Sequence, residues 1–233
     1  MSLTPTLLAE SIDSTNLRLD AREADIVQLC EEAMRERFAC VMIYPASIPL
    51  AVQVLGGSGI KIGTVVGFPS GRFSTEGKQA EIEQAARAGA HEVDIVMNYG
   101  ALRDGHDALV LRELCHLTRT AHGFGCLIKV ITENCYLSEA QVLRSLELCE
   151  EAGVDFIKTS TGFGSSGAKV EHIRLWAKNR RGPIRLKAAG GIKTLSDART
   201  LIEAGASRLG TSNAVALLAE LRGQTPAANT GAY

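Results

Sequence analysis

The sequence predicts a single (β/α)8 barrel, the TIM-barrel class of α/β fold, and three observations lead there. Eight short apolar runs alternate with longer amphipathic stretches from one end of the chain to the other. Their spacing of roughly 22 to 35 residues leaves room for a crossover helix, which makes the strands parallel. The glycine fingerprint of an open dinucleotide-binding sheet is missing, and eight strands then favour closure. A quasi-repeat points the same way: Ala88-Gly89-Ala90 precedes EVDIV, Ala152-Gly153-Val154 precedes DFIKT, and Ala204-Gly205-Ala206 precedes SRLGT. Each of these glycines can end a helix in the left-handed conformation, with the next strand following at once.

Taken in order, the first strand is placed at 10–13, ahead of an amphipathic helix over 24–37 and a second strand at 39–43. A third strand at 61–67 precedes a helix over 76–88, where Gly77 in the first turn is expected to weaken the helix by about 1 kcal/mol. Strand 92–97, helix 109–121, strand 126–132 and helix 138–152 follow, then strands 155–159 and 184–188, helix 196–204 and a last strand at 208–210. No domain boundary is expected before about Arg222, so one domain should occupy 1–222. The stretch GQTPAANTGAY, 223–233, is small, polar and unpatterned and should form a mobile tail.

Bulk properties narrow the function. A chain of 233 residues suits one such barrel, and a formal net charge of −1 removes the broadly basic surface that duplex nucleic acid requires. No apolar run approaches the roughly 18 residues of a membrane span. The start MSLTPTLLAE lacks a basic stretch followed by an apolar one, so a cytoplasmic location is expected. The six cysteines (Cys30, Cys40, Cys115, Cys126, Cys135, Cys149) form no C-x-x-C and read as reduced core residues. Cys115 and His116 are adjacent, which on a helix turns them about 100° apart, so a metal site is not expected.

Lysine is scarce, eight against seventeen arginines, so a lysine inside an apolar strand stands out. Three do so: Lys129 in LIKVIT, Lys158 in FIKTSTGFG and Lys187 in RLKAAGG, all expected near strand ends at the barrel mouth. Lys158 and Lys187 lie on consecutive strands and should be neighbours. Partial burial and a second ammonium both lower a lysine pKa towards neutrality, where a free amine can attack a carbonyl. Asp94 in HEVDIVMN shares a strand face with Val96 and Asn98, where a carboxylate needs a cationic partner and can relay protons. Asp13 in SIDST is a weaker candidate, equally readable as a turn or cap residue. Ser160-Thr161-Gly162, Gly190-Gly191 and Gly210-Thr211-Ser212-Asn213 follow the last three strands, where such barrels commonly cradle phosphate.

With these residues in hand, the chain resembles the deoxyribose-phosphate aldolases over nearly its whole length. The matching blocks are IDST with QLCEEA, VMIYP, TVVGFPSG, EVDIVMN, LIKVITE, FIKTSTGF, LKAAGGIKT with DAR, and RLGTS. The resemblance implies that Lys158 forms a Schiff base and that Lys187 and Asp94 transfer protons. It implies reversible cleavage of 2-deoxy-D-ribose 5-phosphate to D-glyceraldehyde 3-phosphate and acetaldehyde, with no cofactor. Phosphate contacts are then expected from Gly162, Gly190, Gly191, Gly210, Ser212 and Asn213, and association into a homo-oligomer (dimer or tetramer) is common among such barrels. Two other readings remain open at this point: a Schiff-base aldolase of a different aldehyde, and a barrel that binds sugar phosphates without chemistry. Departures from the family pattern are Ser14 and Asn16, which replace a histidine and a leucine, and Asn213, where a small residue or serine is usual. Some relatives use a tyrosine at the end of a tail in proton transfer, and this chain ends in Tyr233.

Overall fold

The computed structural model describes residues 3–224. Strands β1 (Ile12–Asn16), β2 (Cys40–Ile43), β3 (Lys61–Val66), β4 (Glu92–Val96), β5 (Leu127–Ile131), β6 (Phe156–Lys158), β7 (Arg185–Ala189) and β8 (Arg208–Thr211) pair in chain order, all parallel, and β8 closes on β1. Around them run α1 (Pro5–Glu10), α2 (Glu23–Glu36), α3 (Ile48–Leu55), α4 (Thr75–Ala88), α5 (Tyr99–Arg103), α6 (Asp107–Gly123), α7 (Glu139–Glu151), α8 (Val170–Asn179), α9 (Leu195–Glu203) and α10 (Ala214–Leu221). The chain is the predicted eight-stranded barrel. No helix among the described residues is long and apolar enough to cross a membrane. Tyr233 and most of the expected tail lie outside the described residues.

Local chemistry sets the helix ends. Ser74 caps α4 by accepting from the Gly77 amide at 3.0 Å, and Ser138 and Thr194 head capping boxes on α7 and α9. Gly77 therefore sits in the first turn, where its N–H has no intrahelical partner to lose. Gly89, Gly153 and Gly205 all have positive φ, at 109°, 71° and 119°, between a helix and the strand that follows. Most expected boundaries shift by one or two residues, and the largest shift is in β1, which runs Ile12–Asn16 rather than 10–13. Thr4 caps a short helix with Pro5 in its first turn, and that helix takes up Glu10.

Alternation along the strands separates two interiors. Val93, Ile95 and Met97 join the apolar layer between sheet and helices, whereas Glu92 and Asp94 turn into the barrel. The helix layer also holds an ion pair that the strand lysines overshadowed in the sequence. Lys78 on α4 is fully buried, passes beside Gly67 and donates to the Val96 carbonyl and to Glu113 on α6, each at 2.8 Å. Glu113 in turn accepts from the Asn98 amide at 3.2 Å, so the pair secures the loop after β4. Lys78→Met would strand the Glu113 carboxylate in a dry setting. We expect a stability loss of about 3–5 kcal/mol, read by denaturant unfolding; an unchanged midpoint would refute this.

Candidate active site

Strand register brings the strand lysines and carboxylates into one connected network. Lys129 lies opposite Asp94 across the β4–β5 pair, and Lys158 opposite Lys187 across β6–β7. Asp94 accepts from Lys158 at 2.7 Å and from Lys187 at 2.8 Å on Oδ2, and from Lys129 at 2.8 Å on Oδ1. Lys187 also donates to Asp13, whose other oxygen is 2.6 Å from the Arg208 guanidinium. Lys129 reaches Glu92 at 2.5 Å. Asp13 is thus an interior strand residue of the ion network, neither turn nor cap.

The charges do not balance. Four cations (Lys129, Lys158, Lys187 and Arg208) face three carboxylates (Asp13, Glu92 and Asp94) in a space nearly closed to water. A lone excess charge there is costly, and loss of one proton makes the network neutral. Lys158 holds its proton loosely. Burial pulls its pKa down from 10.5 to about 8; the Lys187 ammonium adds to the depression, while Asp94 opposes both. Burial is the larger cause, ahead of the neighbouring ammonium on which sequence reasoning leaned equally. Burial alone would raise the pKa of Asp94, but Lys129, Lys158 and Lys187 together hold it well below the ordinary carboxylate range. Burial would likewise lower that of Lys129, yet Asp94, Asp13 and Glu92 push it well above the usual lysine value.

Access separates the lysines further. Lys129 and Lys187, expected near strand ends, lie instead in the middle of β5 and β7, and both are fully buried. Of the three strand lysines, only Lys158 lines the cleft at the barrel mouth. Thr161, Gly162, Gly190, Gly191, Gly210, Thr211, Ser212 and Asn213 border the same cleft, whereas Ser160 is buried and does not line it. Gly162, Gly190 and Gly191 take φ of 92°, 83° and 76°, which residues with a side chain resist. Gly210 has a different reason to be glycine: a Cβ would stand 3.2 Å from the Lys187 stem and 3.1 Å from Ala189. The Asn213 side-chain amide donates to the Ile192 carbonyl at 3.4 Å, joining the loops after β7 and β8, and Asn213 is the residue just before α10.

Sequence reasoning passed over several lining residues. Lys193, within the quoted block KAAGGIKT, borders the cleft and is its second lysine. Its cationic side chain two residues after the glycine pair was the available signal. Leu17 also lines the cleft and packs with Met42 and Val65 in a small apolar cluster apart from the main core. Asp13, Cys40 and Glu92 come close enough together to suggest a metal site. Both carboxylates, however, are already paired to ammonium or guanidinium groups, and their positive neighbours oppose a cation.

A parallel barrel with a depressed-pKa lysine at its mouth, a carboxylate beside it and glycine loops across the opening defines the lyases that work through an imine on lysine. Residues 8–221 match the DeoC/LacD family aldolase, and the chain belongs to that family. A deoxyribose-phosphate aldolase of Aciduliprofundum boonei is 44% identical over 214 residues, 92% of this chain and 96% of its own length. One from Thermococcus gammatolerans is 44% identical over 213 residues, 91% of this chain and 95% of its own. The tetrameric deoxyribose phosphate aldolase structure from Aeropyrum pernix superposes with a TM-score of 0.87 at 31% identity, covering 94% of this chain and 92% of that one.

Proposed function

We propose that the chain reversibly cleaves 2-deoxy-D-ribose 5-phosphate to D-glyceraldehyde 3-phosphate and acetaldehyde, with Lys158 as nucleophile and Asp94 and Lys187 as its proton-transfer partners. The observation that carries this reading is that Lys158 is the one lysine of the buried network that lines the cleft, and burial lowers its pKa to about 8. The neutral amine adds to the open-chain aldehyde carbon C1, and loss of water leaves an iminium. The C3 hydroxyl gives up its proton to the Lys187–Asp94 pair, directly or through water, and the C2–C3 bond breaks. Its electrons enter the iminium, which becomes an enamine as glyceraldehyde 3-phosphate departs. The enamine then takes a proton at C2, and water hydrolyses the imine to release acetaldehyde and free Lys158.

Borohydride reduction with deoxyribose 5-phosphate, followed by peptide mapping, tests substrate and nucleophile together. An adduct on Lys158 is expected; turnover without one at that position would refute the assignment. Lys193 is the cation placed to neutralise the substrate phosphate, with Gly190, Gly191, Ser212 and Asn213 around it. Lys193→Ala is expected to raise KM for the phosphosugar roughly tenfold or more with a smaller change in kcat. A kcat loss at constant KM would show that Lys193 does not bind ground-state substrate. Association into a homo-oligomer and a cytoplasmic location belong to the same reading, the first supported by the tetrameric relative.

A further inference from the structure

Lys158 runs straight into the Thr161–Gly162 loop, and the turn after β5 grips that connection. Glu133 follows β5 with a left-handed backbone at φ 50° and is 2% exposed. A residue with a side chain keeps that conformation only where its surroundings hold it, and such positions concentrate at ligand clamps. Its carboxylate accepts from the Thr161 amide at 3.2 and 3.3 Å and from the Thr161 hydroxyl. That hydroxyl in turn accepts from the Phe163 amide at 2.9 Å. On either side of Glu133, the Thr132 amide donates to the Lys158 carbonyl at 3.0 Å and the Asn134 amide to the Thr159 carbonyl at 2.9 Å. The turn thus follows the Lys158–Thr161 segment link by link.

We infer that Glu133 is a positioning residue for the phosphate-bearing end of the substrate, shaping the Thr161–Gly162 loop through its grip on Thr161. The inference rests on the proposed phosphosugar reading. Glu133 itself does not border the cleft, whereas Thr161 and Gly162 do, beside Lys158 and Gly190. The loop is held from its other side by packing too close for any side chain: a Cβ on Gly167 would stand 2.1 Å from the Gly190 carbonyl oxygen, and the Ala168 amide donates to that oxygen at 3.0 Å. Glu133 is therefore one support of the loop that joins the nucleophile to the anion cradle. Burial raises the pKa of its carboxyl, and the Thr161 donors and the Lys158 charge act against that rise, so the grip favours the ionised form.

The test compares phosphorylated with unphosphorylated 2-deoxyribose in the full chain. Glu133→Gln keeps the side-chain volume but replaces one acceptor oxygen with a donor that cannot receive the Thr161 hydroxyl. Its preference for the phosphorylated sugar, as a ratio of kcat/KM values, should fall roughly tenfold or more, mostly through KM. Thr161→Val should reproduce the fall and Thr161→Ser should restore the preference. If Glu133→Gln does not fold, the Val and Ser pair at position 161 decides the matter by the same ratio. Equal losses for both sugars overturn the inference and mark Glu133 as structural only. A wild-type chain that leaves the phosphosugar intact overturns the parent reading instead.

Discussion

Lys158→Met is expected to abolish turnover while raising stability. Removing the group that forms the imine eliminates the covalent route, so kcat should drop by at least about 10^4-fold. The stability gain follows from the pKa, about 8 in the fold against the ordinary 10.5. The fold disfavours the protonated amine, so the unfolded chain binds more protons between pH 8 and 10.5. The penalty is complete below pH 8 and fades as the pH climbs through that window. Its size is at most ~3 kcal/mol, and methionine escapes it while leaving Asp94 paired to Lys129 and Lys187. Calorimetry at pH 7 should show the transition roughly 3–8 °C higher. A variant that stays active, or one that melts well below wild type, would contradict the assignment.

Lys187→Leu is expected to lower activity at pH 7 on the order of 10²- to 10³-fold and to move the pH profile. Without Lys187, three cations face three carboxylates, so the network is neutral only with Lys158 protonated. The Lys187 charge depresses the pKa of Lys158, and its removal therefore raises it. Because the reactive form is the free amine, the acid limb of kcat/KM should shift to higher pH, and borohydride trapping at neutral pH should slow. A lower rate with an unmoved limb would mean that Lys187 serves only proton transfer and does not tune the nucleophile.

Much of this was legible in the chain because the relevant signals are local. Strand and helix periods and the glycines at 89, 153 and 205 act within a few residues, and each formed the element expected of it. Lysines in apolar strands are equally visible, since a charge there conflicts with its neighbours unless something distant resolves it. Helices α3, α5, α8 and α10 were not placed, and α1 escaped notice although Thr4 and Pro5 announced it, because a six-residue helix has too little period to read.

The sequence by itself determined the barrel, the strand lysines with Asp94, and most of the loops that border the cleft. Tertiary structure decided which of those charges meet, for pairing depends on register between strands far apart in the chain. Asp13 and Lys187 are 174 residues apart yet bonded, and that contact converts an ambiguous turn residue into part of the network. Closure of the barrel also excluded water, and burial is the largest cause of the lowered Lys158 pKa. It placed Lys129 beneath the site and Lys158 at its opening, and it set Glu133 against Thr161 across two neighbouring strand ends. Such facts belong to the closed surface, because dielectric and access are properties of the space between strands and of no single segment.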